Sequence, residues 1–525
     1  LIVDAGATLT VDEGDYIRVN HNIGVRGTLQ VNKTANVVQV NSNGVTTKEV
    51  GGIIRVEVET PVLENRHFVV MGSPMTAEQR TGVFKDAFLV LDFHPENFIP
   101  HPDVPAGGTN FADDNGDYYQ MYDHGRILKG EGYVVRPQTG YTDPAGIPYS
   151  MTFQLGTLNT GNITYRAENR GTTLNPNGTP NVVANPYPSA ISADLFMDAN
   201  PTIDALYYWE HLTAPGTGLA VSNLRFDMDD ISIYNGSMGL PAANDPGNVL
   251  DTAPNNVIPT AQGFGVRTTG TAGLQTNVVF NNFMRLTSGN TILREQESTP
   301  STLLLELREE NYKIGGFAGI AFSDQGTAGL DHQMDTRRLG TVASLFSHLE
   351  DGTEQLGIQT RESFNIDQEI KLGFASQLDE ESNYTISLSS IEGSDLTGTT
   401  VWLEDNQTGA ITNLREASYT FMSNGGMFED RFLLRFEENS LGTSSNLVSE
   451  VRIFPNPTNG ILNITSTQDK IESVTVYDMM GRVVIATTFA NSSTGQLDIS
   501  NLKNAIYFAE IKTNSGTISK KIIKN

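Results

Sequence analysis

Gly6-Ala7-Thr8-Leu9-Thr10-Val11 returns 20 residues later as Arg26-Gly27-Thr28-Leu29-Gln30-Val31. Each copy alternates apolar and polar residues behind a small-residue turn, the period of a strand with one buried face. Between them Tyr16-Ile17-Arg18-Val19 alternates in the same way. A period near 20 with a glycine ahead of each strand is what a β-solenoid coil requires. Two ordinary sandwich hairpins share the pattern. We read residues 1–58 as a short β-solenoid stub ending a longer N-terminal region. The chain opens inside this pattern at Leu1-Ile2-Val3 without an initiator Met, so a signal peptide and further coils are expected upstream.

The rest of the chain extends the β reading. Fifty glycines in 525 residues, with frequent Asn, Thr and Asp, imply many short strands and turns. The length calls for several domains. The expected fold class is all-β and multidomain: the solenoid stub, tandem β-sandwich domains, and a small C-terminal β-sandwich. There is no cysteine, which excludes disulfide scaffolds and thiol chemistry. No apolar run is long enough for a membrane-spanning helix. The formal net charge of −27 opposes a nucleic-acid role. From Val451 onward, however, eight Lys and Arg face five Asp and Glu, a balance of +3 that leaves −30 for the residues before it.

Residues 59–170 and 171–297 read as two copies of one β-lobe. Phe68-Val69-Val70-Met71-Gly72-Ser73-Pro74-Met75 matches Asn181-Val182-Val183-Ala184-Asn185-Pro186-Tyr187-Pro188. Gly132-Tyr133-Val134-Val135-Arg136 matches Gly263-Phe264-Gly265-Val266-Arg267. Asn185-Pro186-Tyr187-Pro188, Leu206-Tyr207-Tyr208-Trp209 and Gln262-Gly263-Phe264 resemble a module of large surface proteins of the Bacteroidota. Residues 298–437 carry alternating runs such as Tyr384-Thr385-Ile386-Ser387-Leu388 at sandwich spacing. Residues 438–450, with Gly442-Thr443-Ser444-Ser445, have linker composition.

Residues 451–525 open with the turn segment Phe454-Pro455-Asn456-Pro457-Thr458-Asn459-Gly460 and continue as six or seven short β-runs. Asn456, Asn459 and Gly460 suit left-handed turn conformations. This order of pieces resembles the type A C-terminal sorting domain of the type IX secretion system. Pro455, Asn456, Pro457 and Gly460 supply its turn; Tyr477-Asp478 with Gly481-Arg482, its strand end; Ile506-Tyr507, its late strand; Lys520, Lys521 and Lys524, its basic terminus. Ala505 stands where the family usually has glycine. The resemblance implies export through an outer-membrane translocon, reception by a shuttle β-barrel protein, and removal of the tail by a sortase-like peptidase.

Catalytic signatures are sparse. No zinc-protease motif, nucleophile elbow or phosphate loop occurs. His94 and His101 flank a proline-rich loop without a third ligand. Glu210-His211 lie on opposite faces of a probable strand. Asp229 and Asp230 read as a solvated loop, and Asp227 precedes them. Asp113, Asn115 and Asp117, around Gly116, form a weak calcium candidate: the oxygen ligands and glycine turn suit the ion, but the twelfth-position Glu of an EF-hand is missing. No other cofactor is expected. The expected function is a non-enzymatic, adhesin-like or stalk part of an exported protein. It would face an unknown surface ligand, with Tyr207, Tyr208 and Trp209 as stacking residues if that ligand is a glycan. The alternative is the accessory region of a secreted enzyme or glycan-binding protein whose active module lies upstream.

Overall fold

The computed structural model describes residues 1–64, 67–104, 108–138, 146–169, 179–210, 212, 228–243, 253–268, 274–290, 301–349, 352, 354–438, 451–466, 470–479, 481–514 and 516–524. Strands dominate; among the described residues the α-helices are Arg80–Val83 and Ala193–Ala199. The chain divides into two compact units, Leu1–Asn439 and Ser440–Asn525. The linker residues 439–450 lie outside the described residues.

The first unit begins with parallel ladders. Thr8–Val11, Thr28–Val31 and Ile53–Glu59 stack in register, with Leu9 opposite Leu29 and Leu29 opposite Ile54. Ile2–Val3, Ile23–Val25 and Thr46–Lys48 form a second parallel ladder, and Tyr16–Val19 with Asn36–Gln39 a third. The sequence repeat explains the register: alternation places the same parity inward on each strand, so Leu29, Val31, Ile54 and Val56 are buried above one another. Glycine is needed where one chain segment crosses the preceding one. A Cβ on Gly27 would sit 2.2 Å from the Ala7 carbonyl oxygen, and one on Gly52 2.3 Å from that of Val25.

Ser150–Phe153 then adds an antiparallel strand to Ile53–Glu59, with Phe153 opposite Val56. The ladders therefore share one core with Phe84, Val90, Tyr133 and Phe153. The matched motifs of the two lobes pair alike: Val69–Met71 with Tyr133–Arg136, and Pro180–Ala184 with Gly263–Thr268. The lobes abut through glycines. A Cβ on Gly72 would meet the Ala184 Cβ at 2.6 Å, and one on Gly263 the Val70 side chain at 2.5 Å. They also interlock, since Ile163–Asn169 pairs along its whole length with Leu274–Phe280.

Residues 301–438 form an eleven-stranded sheet whose buried face includes Leu305, Ile320, Leu345, Phe374, Tyr384 and Phe432. A further core joins Tyr207, Ile231 and Ile233 to Leu304, Phe317 and Ile358. Shared cores and crossing strands make residues 1–439 one unit.

The second unit is a two-sheet sandwich. Val451–Phe454, Ile461–Ser466 and Thr494–Asp498 form the three-stranded sheet. Val483–Ser492, Ile471–Tyr477, Ala505–Thr513 and Gly516–Lys524 form the four-stranded sheet, in that spatial order. Leu462, Ile464, Val474, Val476, Tyr507 and Ile511 fill the space between them.

Candidate functional site

In the second unit, motif residues from four separate segments gather at one end of the four-stranded sheet. The Pro455 to Pro457 turn lies against the terminal strand. The Asn456 amide donates from Nδ2 to the Lys521 carbonyl at 2.8 Å, and its Oδ1 accepts from the Ile523 amide at 2.8 Å. A side-chain amide has one donor and one acceptor face, so Asn456 pairs with the edge strand much as a neighbouring backbone would. Thr458 extends this contact, donating its amide to the Ile523 carbonyl at 2.9 Å. Both prolines follow cis peptide bonds.

The turn departs from the sequence reading in one respect. Asn456, Asn459 and Gly460 all avoid the left-handed region. Gly460 sits in a tight place: an added Cβ would lie 3.1 Å from the Ser500 Cβ, while its carbonyl accepts from the Ile499 amide at 2.7 Å.

Across the sheet, Tyr477 lies opposite Phe508, and Ile506 opposite Ile523. Asp478 and Arg482 close the adjacent turn. The guanidinium donates from Nε and Nη2 to Asp478 Oδ2 at 2.8 and 2.7 Å, and the Arg482 amide to Oδ1 at 3.0 Å. Gly481 adopts φ +75° inside this turn, which explains the Gly-Arg pair. Tyr507 points inward and donates its hydroxyl to the Lys503 carbonyl at 2.9 Å. Ala505 opens its strand without positive φ, so alanine replaces glycine there without strain. Lys520 and Lys521 are exposed on the terminal edge strand, whereas Lys524 is buried with Nζ 3.5 Å from Asn504 Oδ1. Sequence reasoning missed Thr458, Asn504, Val483 and Phe508. A signal existed for Phe508: in Ile506-Tyr507-Phe508 only every second side chain can face the core.

The candidates of the first unit are placed differently. Asp113 accepts the Ile99 amide on Oδ1 at 2.9 Å and the Tyr118 amide on Oδ2 at 3.3 Å; Asn115 Oδ1 accepts from the Asp117 amide at 3.2 Å. Asp113 and Asn115 thus each accept backbone amides with their side-chain oxygens. Among the described residues no group of three or more His, Cys, Asp or Glu is arranged to hold a metal. His94 lies between Asp92 and Glu96, at 3.4 and 3.2 Å, and His101 accepts the Asp103 amide at 3.2 Å. Glu210 accepts from the Ser232 hydroxyl, while His211 and Asp227 lie outside the described residues. Asp229 and Asp230 are buried in a 3-10 turn, not in a solvated loop, because that turn leads into Ile231–Tyr234, which pairs with the strand of Trp209.

Tyr207 and Trp209 border an apolar cleft of ≈ 160 Å³ that Phe68, Phe93, Phe111 and Tyr118 also line. Trp209 is half-buried and stacks on Phe68 at 5.3 Å. Tyr207 meets Phe111 at 4.7 Å. Burial pushes the Tyr207 phenol up to about 12, Asp204 adding to the effect. Tyr208 packs toward Phe264, within the core of the second lobe.

The second unit is a small sandwich, separate from the interlocked β-body, in which these motifs gather. Residues 452–525 match the family described as Secretion system C-terminal sorting domain. The protein is accordingly a substrate of the type IX secretion system, exported across the outer membrane to the cell surface or extracellular space. Residues 1–436 match the family described as Domain of unknown function (DUF8693), and the chain belongs to that family. No curated protein matches the chain. A solved structure described as "Biofilm associated protein - BSP domain" is 9% identical, with 89% of this chain and 97% of that chain covered and a TM-score of 0.14.

Proposed function

We propose that residues 1–437 are the non-enzymatic, adhesin-like or stalk cargo of a Bacteroidota surface protein. In this reading a type IX outer-membrane translocon carries the chain, a shuttle β-barrel protein receives residues 451–525, and a sortase-like peptidase removes them. The observation that carries the reading is the Asn456 clamp. It ties the proline turn to the basic terminal strand and gathers residues far apart in sequence into one surface that a receptor can read. The interlocked body supports the cargo role, because crossing strands and shared cores resist local opening.

The decisive experiment is removal of residues 451–525. The truncated chain should accumulate in the periplasm, and grafting the tail onto a foreign periplasmic carrier should export that carrier. Truncated protein found at the surface would refute the reading. For the adhesive role, cells displaying the full chain should attach to a host or biofilm surface better than cells lacking it; equal attachment counts against it. A second reading, an accessory glycan-binding region, draws support from Trp209, which keeps part of its indole accessible beside the apolar cleft. Glycan binding that Trp209→Ala abolishes would favour it.

A further inference from the structure

The two sheets of the sorting domain differ on their outward faces. On the three-stranded sheet the outward cross-strand pairs are Asn463 with Gln496, Thr465 with Thr494, and Ile461 with Asp498. The Gln496 amide donates to Asn463 Oδ1 at 3.0 Å, and this face mixes such polar pairs with the exposed Ile461 and with Phe454, which lies opposite Asn463. On the four-stranded sheet, Val483, Tyr477, Phe508 and Lys521 stand directly opposite one another across all four strands. Ile506 and Ile523 form the neighbouring pair. Val483 is 57% exposed, Phe508 40%, Ile506 36%, and Met479 of the adjoining turn 67%. The next row, Ala486, Thr475, Glu510 and Ser519, is mostly polar and bounds the patch.

We propose that this apolar end of the four-stranded sheet is where the sorting domain docks on a protein receptor of the secretion machinery, a receptor presenting an apolar patch edged by carboxylates. The inference rests on reading the tail as a sorting signal. Side chains of one row stand perpendicular to the sheet and span roughly 14 Å over four strands, the footprint of an interface core and not of a small-molecule site. Exposed apolar rows on a sheet carry an aggregation hazard, so their retention marks a contact surface. The occupant follows from charge. Lys521 ends the row on the edge strand, while the tail as a whole is +3. A receptor edged with carboxylates complements that charge. Glu510 in the bounding row opposes an anionic lipid surface.

The test uses the full chain in its native cell. Val483→Ser with Phe508→Ser should lower the exported fraction at least tenfold and leave the protein in the periplasm. Asn463→Ser with Gln496→Ser, on the three-stranded sheet, should leave export unchanged. A photo-crosslinking p-benzoylphenylalanine replacing Phe508 should capture an outer-membrane protein. Removal of residues 451–525 runs alongside. Export that survives this removal overturns the sorting reading itself. Export lost on removal yet normal in the Val483/Phe508 variant overturns the docking face alone. Adducts formed only with lipid or with a second copy overturn the proposed occupant. If the double variant loses protease resistance in its tail, Met479→Ser and the crosslink decide instead, since Met479 lies in an exposed turn: normal export with no protein adduct overturns the proposal.

Discussion

At the residue scale, single atoms determine what the chain tolerates. A methyl group on Gly27 would press on the Ala7 oxygen, which already accepts the Thr28 amide at 2.9 Å. Backbone lies on both sides, so no flexible side chain can yield. Gly27→Ala is expected to cost about 2–3 kcal/mol, within the range for overpacking. Gly14→Ala meets no atom within 4 Å but strains a φ of +79°, and should cost only about 1 kcal/mol. Urea denaturation midpoints compare the two; equal losses would mean that the close backbone crossing is not what requires Gly27. A second residue sets a pH dependence. Asp335 is buried, and desolvation pushes its carboxyl up to about 6. Its two oxygens accept the Thr360 and Asp331 amides, each at 2.7 Å. A raised acid binds its proton more tightly folded than unfolded, so its stabilising share is present below pH ~4 and fades as pH rises to ~6. Asp335→Asn removes this titration, at a cost in one accepted hydrogen bond that does not change with pH. The stability gap between variant and parent should therefore shift by roughly 2 kcal/mol, in the variant's favour, from pH ~4 to pH ~7. A gap that stays constant over that range would rule this out.

At the element scale, the ion pair of Asp405 and Arg431 shows how the large sheet is fastened. Both are buried, 3.4 Å apart, and Arg431 lies 4.2 Å over the Phe421 ring. Asp405 also accepts the Tyr419 hydroxyl at 2.8 Å and the Gln407 amide at 2.8 Å. Asp405→Ala strands the guanidinium and should cost about 3–5 kcal/mol. Replacing Asp405 and Arg431 together by apolar residues should cost less than the single change; a double variant worse than the single would overturn the argument. Asn456→Ala removes two hydrogen bonds to the terminal strand and should cost about 1–2 kcal/mol, read as faster hydrogen exchange at Ile523. Strands of this kind were legible because alternation is local. Tyr384 to Leu388 falls within one strand, and Ile506 to Ile511 within another. The pairing of Ile163–Asn169 with Leu274–Phe280 was not legible, because no residue near either strand encodes a partner over 100 positions away. The sorting motifs could be found one by one. Their meeting point could not, since it depends on Asn456 reaching a strand 65 residues later.

At the scale of the whole molecule, charge is the property that no element carries alone. Sixty-one acidic residues against 34 basic ones give −27. Folding compresses these charges, while the unfolded chain spreads them, so self-repulsion opposes the compact state. Salt acts on two effects of opposite sign. It screens the summed repulsion, and it weakens exposed pairs such as Arg26 with Glu49 and Arg435 with Glu369. An exposed pair contributes about 0–1 kcal/mol, and part of that survives because its atoms touch. Repulsion among unpaired acids acts over longer distances, and the screening length falls from ~30 Å at ~0.01 M salt to ~3 Å at ~1 M. The long-range effect therefore responds more strongly, and sodium chloride should stabilise the protein. Chloride is the suitable anion, since sulfate stabilises proteins through exclusion from their surface whatever their charge. The melting temperature of the body should rise by about 2 °C or more over that range. The tail, at +3, should respond little by comparison. A melting temperature that falls with added chloride would mean that contact pairs, and not the acidic excess, dominate the electrostatics of this protein.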